Sequence, residues 1–588
     1  MGLVLWIHLA LVFSASAEND QPLFSELASK DTGIDFRNDW KAPAAYESAR
    51  TLSFAGGGVA MGDYDGDGLT DVYLSRPFQG GKLFRNLGKL RFEDVTDSVG
   101  ICSLKRHFWE AGCTWADIDN DGDLDLSVCA FHGANRLFLN NKGTFREMAA
   151  EAGLNHVGAS VIMAFSDYDC DGDLDAYLLT NRAFSPTNAY DVGNSEVAKK
   201  IFPQLLKDQT GNPTAMPEHL KEVFDLRWNA DRQIHTLIRA GQHDRLYRND
   251  GSATEGGVPK FTDVTEEAGL KDNGMGLSAT WWDYDDDGYP DLYVANDYFG
   301  ADRLYHNEGN GTFKDVSETA LPHTPWYSMG TNVADINNDG LLDFMGTDMS
   351  GTNHFLQKVG MGDMSKNAWF LDSAQPRQYM RNAVYINTGT DRFMEAAHMT
   401  GLANSDWTWA VKFGDLDNDG HTDVFIANGM TGDLFNSDTL IEQRKDPSLI
   451  SVRPEVKRDA QLAFRNLGDL KFSNVGAEWG LNKEAVSFGA ALGDLDNDGD
   501  QDLIVNQFEG EALVYQNNTS NNSIRIRLKG TQSNRWGIDA KVRIETSAGI
   551  QTRLLTLSKG FYSSDDPVLH FGLGKVKKVD RLTIDWPS

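Results

Sequence analysis

The chain has 588 residues, 40% hydrophobic and 11% aromatic, a globular composition that excludes wholesale disorder. Its formal net charge of −32 argues against nucleic acid and anionic lipid as partners, and leaves a choice between self-repulsion and neutralisation by cations. Four cysteines, Cys102, Cys113, Cys129 and Cys170, are too few for a disulfide scaffold. The absence of any C-x-x-C excludes zinc-ribbon, thioredoxin-like and c-type haem chemistry. Cys113 and Cys129 flank one acidic loop, and the pairing is left open.

In chain order, the first segment reads as an export signal. Leu3–Val12 is mostly apolar, and Ala15-Ser16-Ala17 before Glu18 has the small-x-small pattern of a cleavage site, so residues 1–17 are expected to be removed near Ala17. No later stretch approaches the roughly 20 apolar residues of a membrane helix. Phe24-Ser25-Glu26-Leu27-Ala28, followed by Gly33-Ile34, then reads as an isolated strand and its tail.

From residue 63 onward a loop D-x-[DN]-x-D-G-x-x-D recurs seven times. Its positions 1, 3, 5 and 9 are Asp63, Asp65, Asp67 and Asp71, then Asp117, Asp119, Asp121 and Asp125, then Asp167, Asp169, Asp171 and Asp175. The fourth and fifth copies use Asp283, Asp285, Asp287 and Asp291, and Asp335, Asn337, Asp339 and Asp343. The last two use Asp415, Asp417, Asp419 and Asp423, and Asp494, Asp496, Asp498 and Asp502. Each loop is followed by an L-[FY]-x-N element such as Leu83-Phe84-Arg85-Asn86 or Leu304-Tyr305-His306-Asn307. All but the last then have an F-x-D-V-T-like strand such as Phe92–Thr96.

Four short strands per unit of about 50 residues is the pattern of a β-propeller blade, so the fold expected is all-β, a seven-bladed β-propeller over residues 18–520. The seventh unit lacks its fourth strand, and Phe24–Ala28 is expected to supply it and close the ring. Three insertions interrupt the units, at about 182–240, 349–381 and 431–460. The first reads as helical around Ser195–Asp208 and Pro217–Ala240, where His235, Arg239 and His243 would share a helix face. Residues 521–588 read as a small β domain with strands near Ser523–Leu528, Ala540–Glu545, Gln551–Leu557 and Arg581–Trp586, and His570 as a packed histidine beside a tight glycine turn.

The loops point to calcium. Carboxylates at alternating positions on a tight turn converge on one centre, and calcium takes six to eight hard oxygen ligands in flexible geometry. Of the 28 positions, 27 are Asp, and Asn337 marks the expected weakest site. Magnesium prefers near-octahedral sites that keep water, and zinc wants His or Cys ligands, none of which the loop pattern places. The loops are no EF-hand, because position 12 of the first is Leu74 rather than Glu, and no nonapeptide calcium roll, because the copies are not tandem. Seven structural calcium ions would reduce −32 to about −18.

These loops resemble the FG-GAP/VCBS repeats of integrin-type seven-bladed propellers. The C-terminal segment resembles the ASPIC/UnbV domain through Ser533-Asn534-Arg535-Trp536-Gly537-Ile538, Gly560-Phe561-Tyr562, His570-Phe571-Gly572-Leu573-Gly574 and Trp586-Pro587-Ser588. The combination is that of the cartilage acidic protein family and its bacterial relatives. Asp539 stands where the family usually has Gly, and Ser563-Ser564-Asp565-Asp566 replaces a shorter Ser-Gln. The resemblance implies a calcium-binding protein of the adhesion type, exported to the cell surface, the periplasm or the medium, with an unidentified protein or polysaccharide ligand. The alternative is a polysaccharide lyase or hydrolase with its site in the propeller funnel, although no G-x-S-x-G, Walker loop or H-E-x-x-H occurs. An enzyme should bring titratable side chains together at the funnel mouth, and a binder should expose an apolar or aromatic patch. N-x-[ST] sequons stand at Asn310, Asn517, Asn518 and Asn521.

Overall fold

A computed structural model describes residues 22–51, 55–101, 109–184, 195–253, 257–270, 272–360, 368–371, 374–432, 436–446 and 456–587. The export signal and Cys102 lie outside the described residues.

In each unit one strand enters the acidic loop and the next leaves it, antiparallel, with their side chains buried on both faces. In the first unit Val59–Gly62 pairs with Asp71–Leu74, that strand with Lys82–Asn86, and that with Phe92–Asp94. The same four-strand order recurs in all seven units. The second and third units also pair directly, where Val157–Ala159, at the start of the third unit's inner strand, meets Phe131–Ala134, at the end of the second unit's second strand. The expected closure is present: Phe24–Leu27 pairs antiparallel with Leu513–Asn517 as the outer strand of the seventh unit. The protein is an all-β propeller.

A buried ring of asparagines ties each unit to the one before it. The Asn ending each third strand donates its side-chain amide to two backbone carbonyls, one at position 8 of its own loop and one at position 2 of the preceding loop. Asn140 bonds Leu124 O and Tyr64 O, and Asn307 bonds Pro290 O and Tyr168 O. Asn86 bonds Thr70 O and, across the closure, Leu495 O of the seventh loop. The other four do the same: Asn249 reaches Ile118, Asn387 reaches Tyr284, Asn466 reaches Ile336 and Asn517 reaches Leu416. Asn517, 1% exposed in this latch, is therefore no surface glycosylation acceptor.

All three insertions connect a second strand to a third, so they share the face opposite the acidic loops. They follow Asp175–Thr180, Asp343–Gly346 and Asp423–Asn428. The first is only partly helical. Ser195–Ile201 is an α-helix, but most of 217–240 is a hairpin of Phe224–Asn229 against Ile234–Arg239. The alternation Phe224, Leu226, Trp228 is a period-two signal that outweighs the helical spacing. His235 and Arg239 thus lie on a strand and His243 in the loop beyond it, so the shared helix face does not exist. The other two insertions carry the short helices His354–Val359, Ala368–Leu371 and Ser437–Lys445.

The C-terminal segment lies on the acidic-loop face. Its strands are Asn522–Ile526, Lys541–Thr546, Gly549–Leu554, Leu569–Gly574 and Arg581–Asp585. The fourth differs from expectation: H-F-G-L-G is a strand paired with Asn522–Ile526, not a turn. Between the third and fourth, residues 558–566 descend into the propeller axis and bond the inner strands of six units. Met61 and Cys113 donate to the carbonyls of Ser564 and Tyr562 at 3.1 Å, and Gly560 donates to Thr331 O at 2.7 Å. Ser278 Oγ donates to Gly560 O, and Leu492 N to Asp565 Oδ1. Lys412, wholly buried, meets Asp565 at 2.8 Å. Phe561 is 0% exposed and its ring lies 5.1 Å from that of Trp409 and 6.0 Å from that of Phe488, so aromatic side chains fill the channel below the loop face.

Candidate metal centres

The loop backbone is built by its own side chains. In all seven copies the position-1 carboxylate accepts the N–H of the position-6 glycine, at 2.9–3.1 Å. That glycine has φ between 86° and 104°, a conformation glycine adopts without steric cost. Position 4 is left-handed too, which suits the Gly, Asn and Asp found in six of the copies and leaves Cys170 as the exception. Position 4 forms a second ring: Asn120, Asn338, Asn418 and Asn497 donate to the position-6 carbonyl of the following loop, and the Cys170 thiol takes the same place 3.6 Å from Gly288 O. Cys113 and Cys129 are buried free thiols.

The position-9 aspartates are the buried anchors. One oxygen accepts from the position-2 N–H and the other from the N–H of the latch asparagine, as Asp71 does from Tyr64 at 3.1 Å and Asn86 at 2.7 Å. Burial, and then neighbouring carboxylates, push Asp71, Asp117, Asp167 and Asp343 up to about 8. In the first three loops single oxygens of positions 1, 3 and 9 lie within 4.8 Å of one another. Buried carboxylate oxygens without a hydrogen bond remain on Asp63, Asp169, Asp415 and Asp496. Converging, desolvated, orphaned oxygens fit a hard cation, and these side chains would hold calcium as its ligands.

The C-terminal segment reaches every loop. Arg527 and Arg525 meet the position-1 carboxylates Asp63 and Asp494 at 3.3 and 2.8 Å, and Gly572 N donates to Asp415 at 3.0 Å. Arg535 N bonds Asn120, Lys541 pairs with Asp286, and Asp539 accepts from Ser166 Oγ and Asp167 N. Arg553, half-buried, lies in the field of Asp335, Asp415 and Asp423. Asp539 thus works at φ 72° as a bridge to the third loop. His570 is packed as expected, 8% exposed, held near Gly499 O and lowered to about 4 by burial.

The residue before each latch asparagine varies from unit to unit and carries no signal in the repeat pattern, yet it grades the loops. Arg85 bonds positions 3 and 5 of its loop, Asp65 at 2.7 Å and Asp67 at 3.1 Å, and Arg465 does the same with Asp417 and Asp419 at 2.8 and 2.9 Å. Gln516 donates to Asp496 at 2.9 Å. Leu139 and Ile386 are apolar at this place. In the fourth unit it is His306, whose Nδ1 stands 3.4 Å from Asp285 and 3.3 Å from Asp291. This histidine comes from the third strand, outside the nine-residue window of the repeat pattern.

Comparison with known proteins agrees with this architecture. The FG-GAP-like repeat profile matches residues 63–128, 117–178, 283–345 and 372–426, and the ASPIC and UnbV profile matches 530–588. Cartilage acidic protein 1 of Mus musculus is 24% identical over 513 residues, covering 81% of this chain and 70% of its own. That of Xenopus tropicalis is 23% identical over 505 residues, with the same coverage. Among solved structures, an Agrocybe aegerita lectin that recognises non-reducing terminal N-acetylglucosamine has a TM-score of 0.36 at 13% identity, covering 76% of this chain and 88% of its own. The Dos1 propeller has a TM-score of 0.32 at 8% identity, covering 79% and 90%. The chain is an FG-GAP-like-repeat propeller with a C-terminal ASPIC and UnbV domain, the architecture of cartilage acidic protein 1, to which it is similar over 81% of its length.

Proposed function

We propose that the protein is an extracellular binding module, stabilised by calcium in its acidic loops, that takes a protein or polysaccharide ligand on the insertion face. The observation that carries this reading is where exposed apolar side chains sit. Of the fourteen large apolar side chains exposed among the described residues, six belong to the three insertions, Phe202, Leu206, Trp228, Phe355, Tyr379 and Ile441 at 39–64%, and these include four of the five aromatic ones. Exposed apolar surface of this kind marks contact sites. The opposite face is occupied by the protein's own C-terminal domain, and its channel is filled by residues 558–566. That weighs against the alternative of a polysaccharide-active enzyme working through the funnel from the loop side. An extracellular location is supported by the cartilage acidic protein relatives and by the apolar N-terminal segment.

Full-length protein in calcium, applied to arrays of polysaccharides and envelope proteins, tests the proposal. Capture that is lost in the Trp228→Ser/Phe355→Ser variant but kept by Leu582→Ser, on the C-terminal domain, is the expected result. Capture lost only through Leu582→Ser would refute the assignment of the face, and turnover of a polysaccharide would restore the enzyme.

A further inference from the structure

We infer that the fourth loop, joined by His306, is a mixed oxygen–nitrogen site for a first-row divalent transition metal of the zinc class, held in preference to calcium. The inference rests on the reading of the loops as metal sites and departs from it in the metal.

In the first three loops the donors within 4.8 Å of one another are the carboxylates of positions 1, 3 and 9. In the fourth, Asp285 and Asp291 converge with the imidazole of His306, and Asp285 also converges with Asp283 and Asp287. His306 belongs to Arg303–Asn307, a strand fixed on both sides by pairing with Asp291–Asp297 and Phe313–Asp315. Its ring packs edge-on against Tyr284 at 6.0 Å, so its direction is set by the fold rather than by solvent. Asp291 is 0% exposed.

Nδ1 of His306 is sealed from water and stands 3.3 and 3.4 Å from carboxylate oxygens of Asp291 and Asp285, contacts that become ion pairs when the ring carries a proton. A nitrogen lone pair facing two anionic oxygens is repulsive unless a proton or a metal cation lies among them. Ligands about 2.0–2.1 Å from a tetrahedral zinc are about 3.3–3.4 Å apart, which matches both separations. Calcium gains little from nitrogen, whereas imidazole with carboxylates suits zinc and its neighbours. Where the same column carries Arg85 or Arg465, a fixed cation covers the position-3 carboxylate instead, and where it carries Leu139 or Ile386 there is no donor at all. The fourth unit alone has an imidazole in this column.

The test is metal retention by the full-length chain. Wild type, His306→Leu and His306→Arg are dialysed against zinc in a large excess of calcium, and zinc and calcium are counted in the same samples by atomic emission. The two replacements reproduce residues that other units already hold at this place, and their melting in calcium checks that they fold. Wild type should retain about one zinc per chain and, loaded with cobalt instead, show the visible absorption of a nitrogen-ligated ion. Both signals should disappear in either variant while calcium stays bound at the other loops. Zinc absent from wild type, or retained equally by the variants, would overturn the inference; in the first case a proton on His306 balances the carboxylates. Calcium missing from every sample would instead refute the reading of the loops as calcium sites, independently of the zinc count.

Discussion

The two faces of the propeller are built by opposite rules. On the loop face the same side-chain roles recur in unit after unit. Position 1 holds the glycine N–H, position 9 anchors two backbone amides, and the latch asparagine joins neighbouring units. The surface so formed is then covered by the chain's own C-terminal domain, whose arginines meet the loop carboxylates. On the insertion face the three second-to-third-strand connections share no sequence and little structure, and they expose aromatic and aliphatic side chains to water. Repetition goes with stability and irregularity with contact: the loop face can change only at a cost to the ring, while the insertion face can change freely.

The largest effect that would break this comparison is loss of the cations. A site filled at about a hundredfold excess over its dissociation constant contributes about 2.7 kcal/mol, so chelation of several loops should lower the melting temperature by about 10–20 °C. The pH dependence has a definite sign. Asp71, Asp117, Asp167 and Asp343, raised to about 8 without metal, hold protons that the unfolded chain releases near 4. The folded, chelated chain therefore binds more protons over that interval, and its stability should fall as pH rises from about 5 to about 8. In calcium the same carboxylates are ionised throughout and the slope should vanish. Calorimetry in chelator and in calcium decides it, and identical melts would remove the structural role of the loops.

Next comes the plug. Asp565→Ala strands the buried Lys412 ammonium, with an expected cost of about 3–5 kcal/mol in chemical denaturation. Lys412→Met with Asp565→Leu should recover most of that, because the repulsive element is the unpaired charge. If Asp565→Ala alone were neutral, residues 558–566 would not be fixed in the channel. The latch is smaller. Asn387→Ala leaves the carbonyls of Tyr284 and Leu342 without their donor and should cost about 2–3 kcal/mol, read by the same titration.

The loop face is legible in the sequence wherever a residue acts on its near neighbours. The Asp and Gly of each loop act within nine residues, and Phe24–Leu27 is recognisable as the strand missing from the seventh unit because it repeats the other six. What stays hidden needs a partner from elsewhere in the chain. The asparagine of L-[FY]-x-N is visible as a motif, but its second carbonyl belongs to another unit. His306 is in plain view yet joins a loop fifteen residues upstream of it. Ser563–Asp566 reads as a departure from the family pattern, and its contacts reach strands in the first and last units. On the insertion face the hairpin at 224–239 passes for helix because Trp228, His235 and Arg239 have no second copy to compare with.

The smallest effect tests the other half of the comparison. Trp228 is 44% exposed, touches the His235 ring edge-on at 5.2 Å, and belongs to a hairpin that pairs with no blade strand. Trp228→Ser removes little buried apolar area, so stability should change by less than about 0.5 kcal/mol. Phe355→Ser, at a residue 64% exposed on His354–Val359, should be equally mild. Denaturation midpoints equal to wild type, together with lost capture of the ligand found on the arrays, would place contact and stability on separate faces. A loss of more than about 1 kcal/mol in either variant would mean that the insertions belong to the packed body of the propeller. Their exposed side chains would then say nothing about a partner.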